Sequence, residues 1–134
     1  MKKILTTLGF VVVVMLAFNK VSTASTINFY LYITDNGGTG CSTPYSGYYY
    51  VRVHIIVNGT ELCQHDWNNI TGSTLTQLTW ACDGDLSQYD KYTVTIDICR
   101  YSPPNSFTCC TSDSKANITM LQLTNGQWTY QLYI

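Results

Sequence analysis

Apolar and polar residues alternate with a period of two along most of this chain. Ile27, Phe29, Leu31 and Ile33 alternate with Asn28, Tyr30, Tyr32 and Thr34; Val51, Val53, Ile55 and Val57 alternate with Tyr50, Arg52, His54 and Ile56; Val94, Ile96 and Ile98 alternate with Thr93, Thr95 and Asp97. Successive side chains of a strand point to opposite faces, so this pattern predicts strands buried on one side. Beyond residue 24 no apolar set recurs at helical spacing over eleven residues or more. Turn-forming runs interrupt at short intervals: Asp35-Asn36-Gly37-Gly38, Asn58-Gly59, Thr71-Gly72-Ser73, Asp83-Gly84-Asp85, Pro103-Pro104-Asn105 and Asn125-Gly126. Short strands at this spacing predict an antiparallel sandwich or barrel; the expected fold is an all-β, immunoglobulin-like β-sandwich of about seven or eight strands, the likeness being one of architecture alone.

Both Asn-Gly pairs predict two-residue hairpin turns, in which both central residues take positive φ. A two-residue turn fixes register. At Asn125-Gly126, Leu123 would then oppose Trp128 and Leu121 would oppose Tyr130, with all four on the core face. At Asn58-Gly59, Val57 would oppose Thr60, His54 would oppose Cys63 and Arg52 would oppose His65. The mixed pattern of that second strand points to a bulge or an edge position.

The N-terminal pattern is different. Lys2-Lys3, a 15-residue apolar run from Ile4 to Phe18 and the small residues Ser22-Thr23-Ala24 predict a cleaved export signal over residues 1–24. The run is shorter than the roughly 20 residues of a membrane span. One domain is then expected over residues 25–134, with no membrane span after cleavage. Four basic against eight acidic residues leave that part with a formal charge of −4, which argues against nucleic acid as a partner.

Six cysteines in a small exported chain predict three disulfides, and secretion or a periplasmic location. Cys63 and Cys82 flank the turn at Thr71-Gly72-Ser73. Cys99 and Cys109 flank Pro103-Pro104 in the same way. Cys41 is left for Cys110, unless Cys109 and Cys110 exchange roles.

Candidate chemistry is sparse. His54, Cys63 and His65 are metal-ligand types, but an exported Cys63 is expected in a disulfide. Asp83, Asp85 and Asp90 offer oxygen ligands suited to calcium in one loop, without the spacing of an EF-hand, and read more simply as a polar turn. Asn58, Asn69 and Asn117 each begin an N-glycosylation pattern, which a chain rich in Asn and Thr yields by chance. No nucleophile elbow, zinc-protease motif or phosphate loop occurs, so neither catalytic residues nor a cofactor are expected. Tyr48, Tyr49 and Tyr50 beside Arg52, with Tyr30 and Tyr32, form the candidate binding surface, provided that their strands are neighbours in one sheet. Tyrosine supplies rigid contact area with a polar tip. The expected function is non-catalytic binding or adhesion to a glycan or a protein. The alternative is a structural subunit joined through sheet edges; a small metal-dependent enzyme ranks below both.

Overall fold

The computed structural model describes residues 24–36, 41, 45, 47–102, 104 and 106–134. The expected export signal, apart from Ala24, and Gly37, Gly38, Pro103 and Asn105 of the expected turns lie outside the described residues. Seven strands are described: β1 Ser25–Thr34, β2 Tyr48–Val57, β3 Thr60–Thr71, β4 Thr76–Cys82, β5 Tyr92–Ser102, β6 Ser106–Ile118 and β7 Thr129–Tyr133. A 3₁₀ turn, Leu86–Gln88, precedes β5, and a short helix α1, Met120–Thr124, precedes β7. They form two sheets, one ordered β4-β1-β7 and one ordered β3-β2-β5-β6. All strand pairs are antiparallel except β1 with β7, which is parallel. The fold is all-β and sandwich-like.

The period-two pattern explains the core. Ile27, Phe29, Leu31 and Ile33 of β1 face Val51, Val53 and Ile55 of β2 and Val94, Ile96 and Ile98 of β5 in one buried cluster, joined by Leu78, Tyr130 and Leu132. Each strand presents its apolar set inward, as the alternation requires. Tyr92, at the start of β5, sends its hydroxyl back to the carbonyls of Leu86 and Tyr89, which ties the β4–β5 connection to the sheet.

Near the β2 end of the sandwich, Arg100 clamps Asp35, with Nε 3.0 Å from Oδ2 and Nη2 2.7 Å from Oδ1. The Asp35 side chain is only 2% exposed. The Tyr49 hydroxyl donates to the same carboxylate at 2.8 Å. Burial first, and this hydrogen bond second, raise the Tyr49 phenol.

All three disulfides form: Cys63–Cys82, Cys99–Cys109 and Cys41–Cys110. Bulges explain how. In β6, Thr111 opposes Ile98 but Cys109 opposes Cys99, so Cys110 is the extra residue of a bulge. Adjacent cysteines therefore reach different partners. In β3, Cys63 opposes Ile55 while Glu61 opposes Ile56, which makes Leu62 the extra residue. That shift turns Cys63 inward, towards Cys82 of the other sheet.

The Asn58-Gly59 turn is as expected, with φ of 49° and 77° and Val57 opposite Thr60. The bulge corrects the register beyond it: His54 opposes Gln64, not Cys63, and Arg52 opposes Asp66, not His65. Asn69 and Asn117 also take positive φ, each beside a register shift. All three potential glycosylation asparagines thus sit at turns or bulges.

The C-terminal hairpin is a correction. Residues 120–124 are helical, and β7 pairs with β1 instead of doubling back. Thr119 caps α1: its Oγ1 accepts from the Gln122 amide at 3.2 Å, while Gln122 Oε1 accepts from the Thr119 amide at 2.9 Å. Gly126, at φ 67°, follows the helix, and its amide donates to the Asn28 carbonyl at 3.0 Å. Leu123 is buried, Leu121 is 66% exposed and Trp128 is half-buried.

Candidate functional site

The outer face of the four-stranded sheet is a grid fixed by register. Tyr48, Tyr101 and Phe107 form one row across β2, β5 and β6; Tyr50, Cys99 and Cys109 form the next. Asp66, Arg52, Asp97 and Ser112 form the third row, with β3 added. Cross-strand neighbours stand roughly 4.5–5.5 Å apart, so these side chains touch. The Phe107 ring is 5.5 Å from Tyr50 and 5.1 Å from Tyr101, centre to centre. Tyr48 and Phe107 are each 50% exposed.

Between the rows runs an open cleft of about 480 Å³, lined by Tyr50, Arg52, Asp97, Ser112 and the Cys99–Cys109 bridge. A hollow of about 350 Å³ adjoins it against Phe107.

The polar groups are interlocked. Arg52 meets Asp66 through two parallel bonds, Nε to Oδ1 at 2.7 Å and Nη2 to Oδ2 at 2.9 Å. Its Nη2 also donates to the Tyr50 hydroxyl at 2.9 Å, and that hydroxyl donates to Asp66. The hydrogen bonds from Arg52 hold the Asp66 carboxyl down to about 2. His54 lies between two carboxylates: Nδ1 bonds Glu61 and Nε2 lies 3.0 Å from Asp97 Oδ2. Burial alone would lower this imidazole, but the two carboxylates outweigh it and raise it above 6.5. The Ser112 hydroxyl donates to the other Asp97 oxygen at 2.5 Å. The order is hydroxyl, carboxylate, imidazole; an activated serine needs its hydroxyl on the imidazole.

Three of the candidate binding residues, Tyr48, Tyr50 and Arg52, belong to this face. Tyr49 does not; it points inward and is core. Tyr30 and Tyr32 lie on β1, in the other sheet, beside Gln77 and Gln131. The five-ring surface is therefore split, because the two strands are not neighbours. Phe107 and Tyr101 take the vacated places; the β5–β6 register that brings them there depends on a bulge.

Cys63 is bonded to Cys82, so it offers no thiolate beside His54. His65 is exposed on the edge strand β3, opposite Val53, and its ring packs on Trp67 and Trp80, at 4.6 and 6.1 Å between ring centres. Asp85 of the acidic loop caps the 3₁₀ turn, accepting from the Ser87 amide at 3.0 Å and Gln88 Nε2 at 2.9 Å. Among the described residues no group of three His, Cys, Asp or Glu side chains is placed to hold a metal. No helix among them is long and apolar enough to cross a membrane.

No protein family, curated protein or solved structure matches this chain.

Proposed function

We propose that the protein is an exported, non-catalytic binding module that holds a glycan or a protein ligand on the outer face of its four-stranded sheet. The observation that carries this reading is the contiguity, on one sheet face, of Tyr48, Tyr101, Phe107 and Tyr50 with the Arg52–Asp66 and Asp97–Ser112 pairs, where Tyr50, Arg52, Asp97 and Ser112 line a cleft and Phe107 the hollow beside it. Exposed aromatic surface mixed with polar groups that are already oriented suits recognition. The three disulfides fit secretion or a periplasmic location.

The fold reading that goes with it is immunoglobulin-like. The order β3-β2-β5-β6, two hairpins joined through β2 and β5, parallels the C′-C-F-G sheet of variable-type domains, and the β1–β4 pair parallels B–E. Tyr92 supports it further. At the start of the strand that corresponds to F, it bonds back to the preceding corner as a tyrosine corner does. The parallel β7 departs from that plan, and Cys63–Cys82 joins other strands than the usual bridge does.

Assembly through sheet edges is the weaker reading. The edge strands of the four-stranded sheet, β3 and β6, each carry two register shifts, which spoil a flat template for strand addition, and the edges of the other sheet, β4 and β7, are only 7 and 5 residues long.

The test is a glycan and protein-partner screen of the purified protein. The combined Tyr50→Ala and Phe107→Ala variant should weaken capture about tenfold or more, equivalent to roughly 1.4 kcal/mol. The combined Tyr30→Ala and Tyr32→Ala variant should bind as the natural protein does. The opposite pattern would move the site to the other sheet.

A further inference from the structure

We infer that the cleft and the hollow beside it take an uncharged sugar, seated against the Tyr50 ring of the cleft and the Phe107 ring of the hollow with adjacent hydroxyls held by Asp97, Ser112 and Arg52. This rests on the binding-module reading and names its ligand class.

Size favours a compact ligand. The cleft, at about 480 Å³, falls within the roughly 300–1,000 Å³ of small-ligand sites. A protein partner instead spreads about 800 Å² over each side.

The unused hydrogen-bonding capacity has the pattern a diol needs. A carboxylate offers about four acceptor sites. Asp97 uses one on each oxygen, for Ser112 and for His54. Arg52 uses Nε and Nη2, which leaves both Nη1 hydrogens without a partner among the described residues. Arg52 and Asp97 are direct cross-strand partners, so acceptor and donor stand side by side. The Ser112 oxygen, donating to Asp97, still has lone pairs to accept with. A pair of neighbouring hydroxyls both donates and accepts, and it satisfies both sides together. The apolar C–H face of a sugar ring then meets aromatic surface, whose π-face is electron-rich.

Charge argues against the ionic alternatives. The face carries Asp66, Asp97 and Glu61 against Arg52 and His54, and each cation is already bonded to those carboxylates. An anionic ligand would meet, at the Nη1 of Arg52, a guanidinium already neutralised by Asp66, and would lie beside the Asp97 carboxylate. A cationic ligand would have to sit against the Arg52 guanidinium.

The experiment presents the purified protein to matched oligosaccharides: neutral hexose and N-acetylhexosamine chains, their sulfated and uronate counterparts, and amino-sugar counterparts. The neutral chains should be retained, with charged counterparts about tenfold weaker or worse. Phe107→Ala and Asp97→Asn should each weaken neutral-chain binding about tenfold, and exposed Phe107 should be removable without lowering the melting temperature. Preference for a charged series, or neutral binding untouched by Phe107→Ala, would overturn the inference. If no sugar binds but a protein partner is captured and then lost with Tyr50→Ala and Phe107→Ala, the sugar class is wrong and the binding module stands. If neither sugar nor protein is captured, both readings fail.

Discussion

An imidazole between two carboxylates is best served when it is charged. Only the protonated ring donates from both nitrogens, so neutral His54 can keep one of its bonds to Glu61 and Asp97 as a donor but not both. Its folded-state pKa is raised above 6.5. The stabilisation is therefore fully present below the unfolded value and is lost as pH rises through the folded one. An NMR titration of His54 should show its midpoint above 6.5, and the melting temperature should fall as pH climbs through that midpoint. His54→Gln should remove this component of the fall. A midpoint below 6.5 would mean that burial outweighs the carboxylates. The consequence reaches the cleft, because Asp97 is the residue that joins His54 to it.

Among the elements, α1 separates what period-two reading captures from what it misses. Alternation on β1, β2 and β5 was legible because each strand is buried on one face and long enough to show it. The Asn58-Gly59 turn was legible because positive φ at both positions demands those residue types. The second Asn-Gly pair misled because the same residue types also end a helix: Asn125 caps α1 at φ −90° and only Gly126 takes a positive φ. The competing signal was the Thr119…Gln122 capping box, four residues long and easily read as strand. The two readings differ in what they require of Leu121. With α1 formed, Leu121→Ala should change stability by well under 1 kcal/mol, since surface substitutions sit near ±0.5. Leu123→Ala should cost about 2–5 kcal/mol and Thr119→Ala about 1 kcal/mol. Chemical denaturation measures all three, and equal costs at Leu121 and Leu123 would restore the hairpin. Bulges were legible only in part: the mixed pattern of β3 pointed to a bulge or an edge, and β3 has both, but nothing marked where a bulge falls. The extra residues Leu62 and Cys110 carry no compositional mark, yet they decide that Arg52 meets Asp66 and that adjacent cysteines part.

For the whole molecule, the division into two sheets decides which tyrosines act together. Stacked sheets lie roughly 10 Å apart across a core, so side chains on opposite outer faces cannot share a ligand. Tyr30 and Tyr32 are half-buried strand residues flanked by β4 and β7, where tyrosine fits on packing grounds alone. The face of β2, β5 and β6 differs because its rings adjoin a cleft with oriented polar groups. The Cys99–Cys109 bridge lies within that cleft and joins the two strands directly opposite one another. The proposed binding face is thus fixed by covalent and ionic links, and preorganisation of this kind would lower the cost of binding. Backbone chemical-shift mapping of the labelled protein, titrated with the tightest ligand from the glycan and partner screen, tests this most directly. The largest shifts are expected to cluster at Tyr50, Arg52, Asp97, Phe107 and Ser112. Shifts centred on Tyr30 and Tyr32 would contradict it.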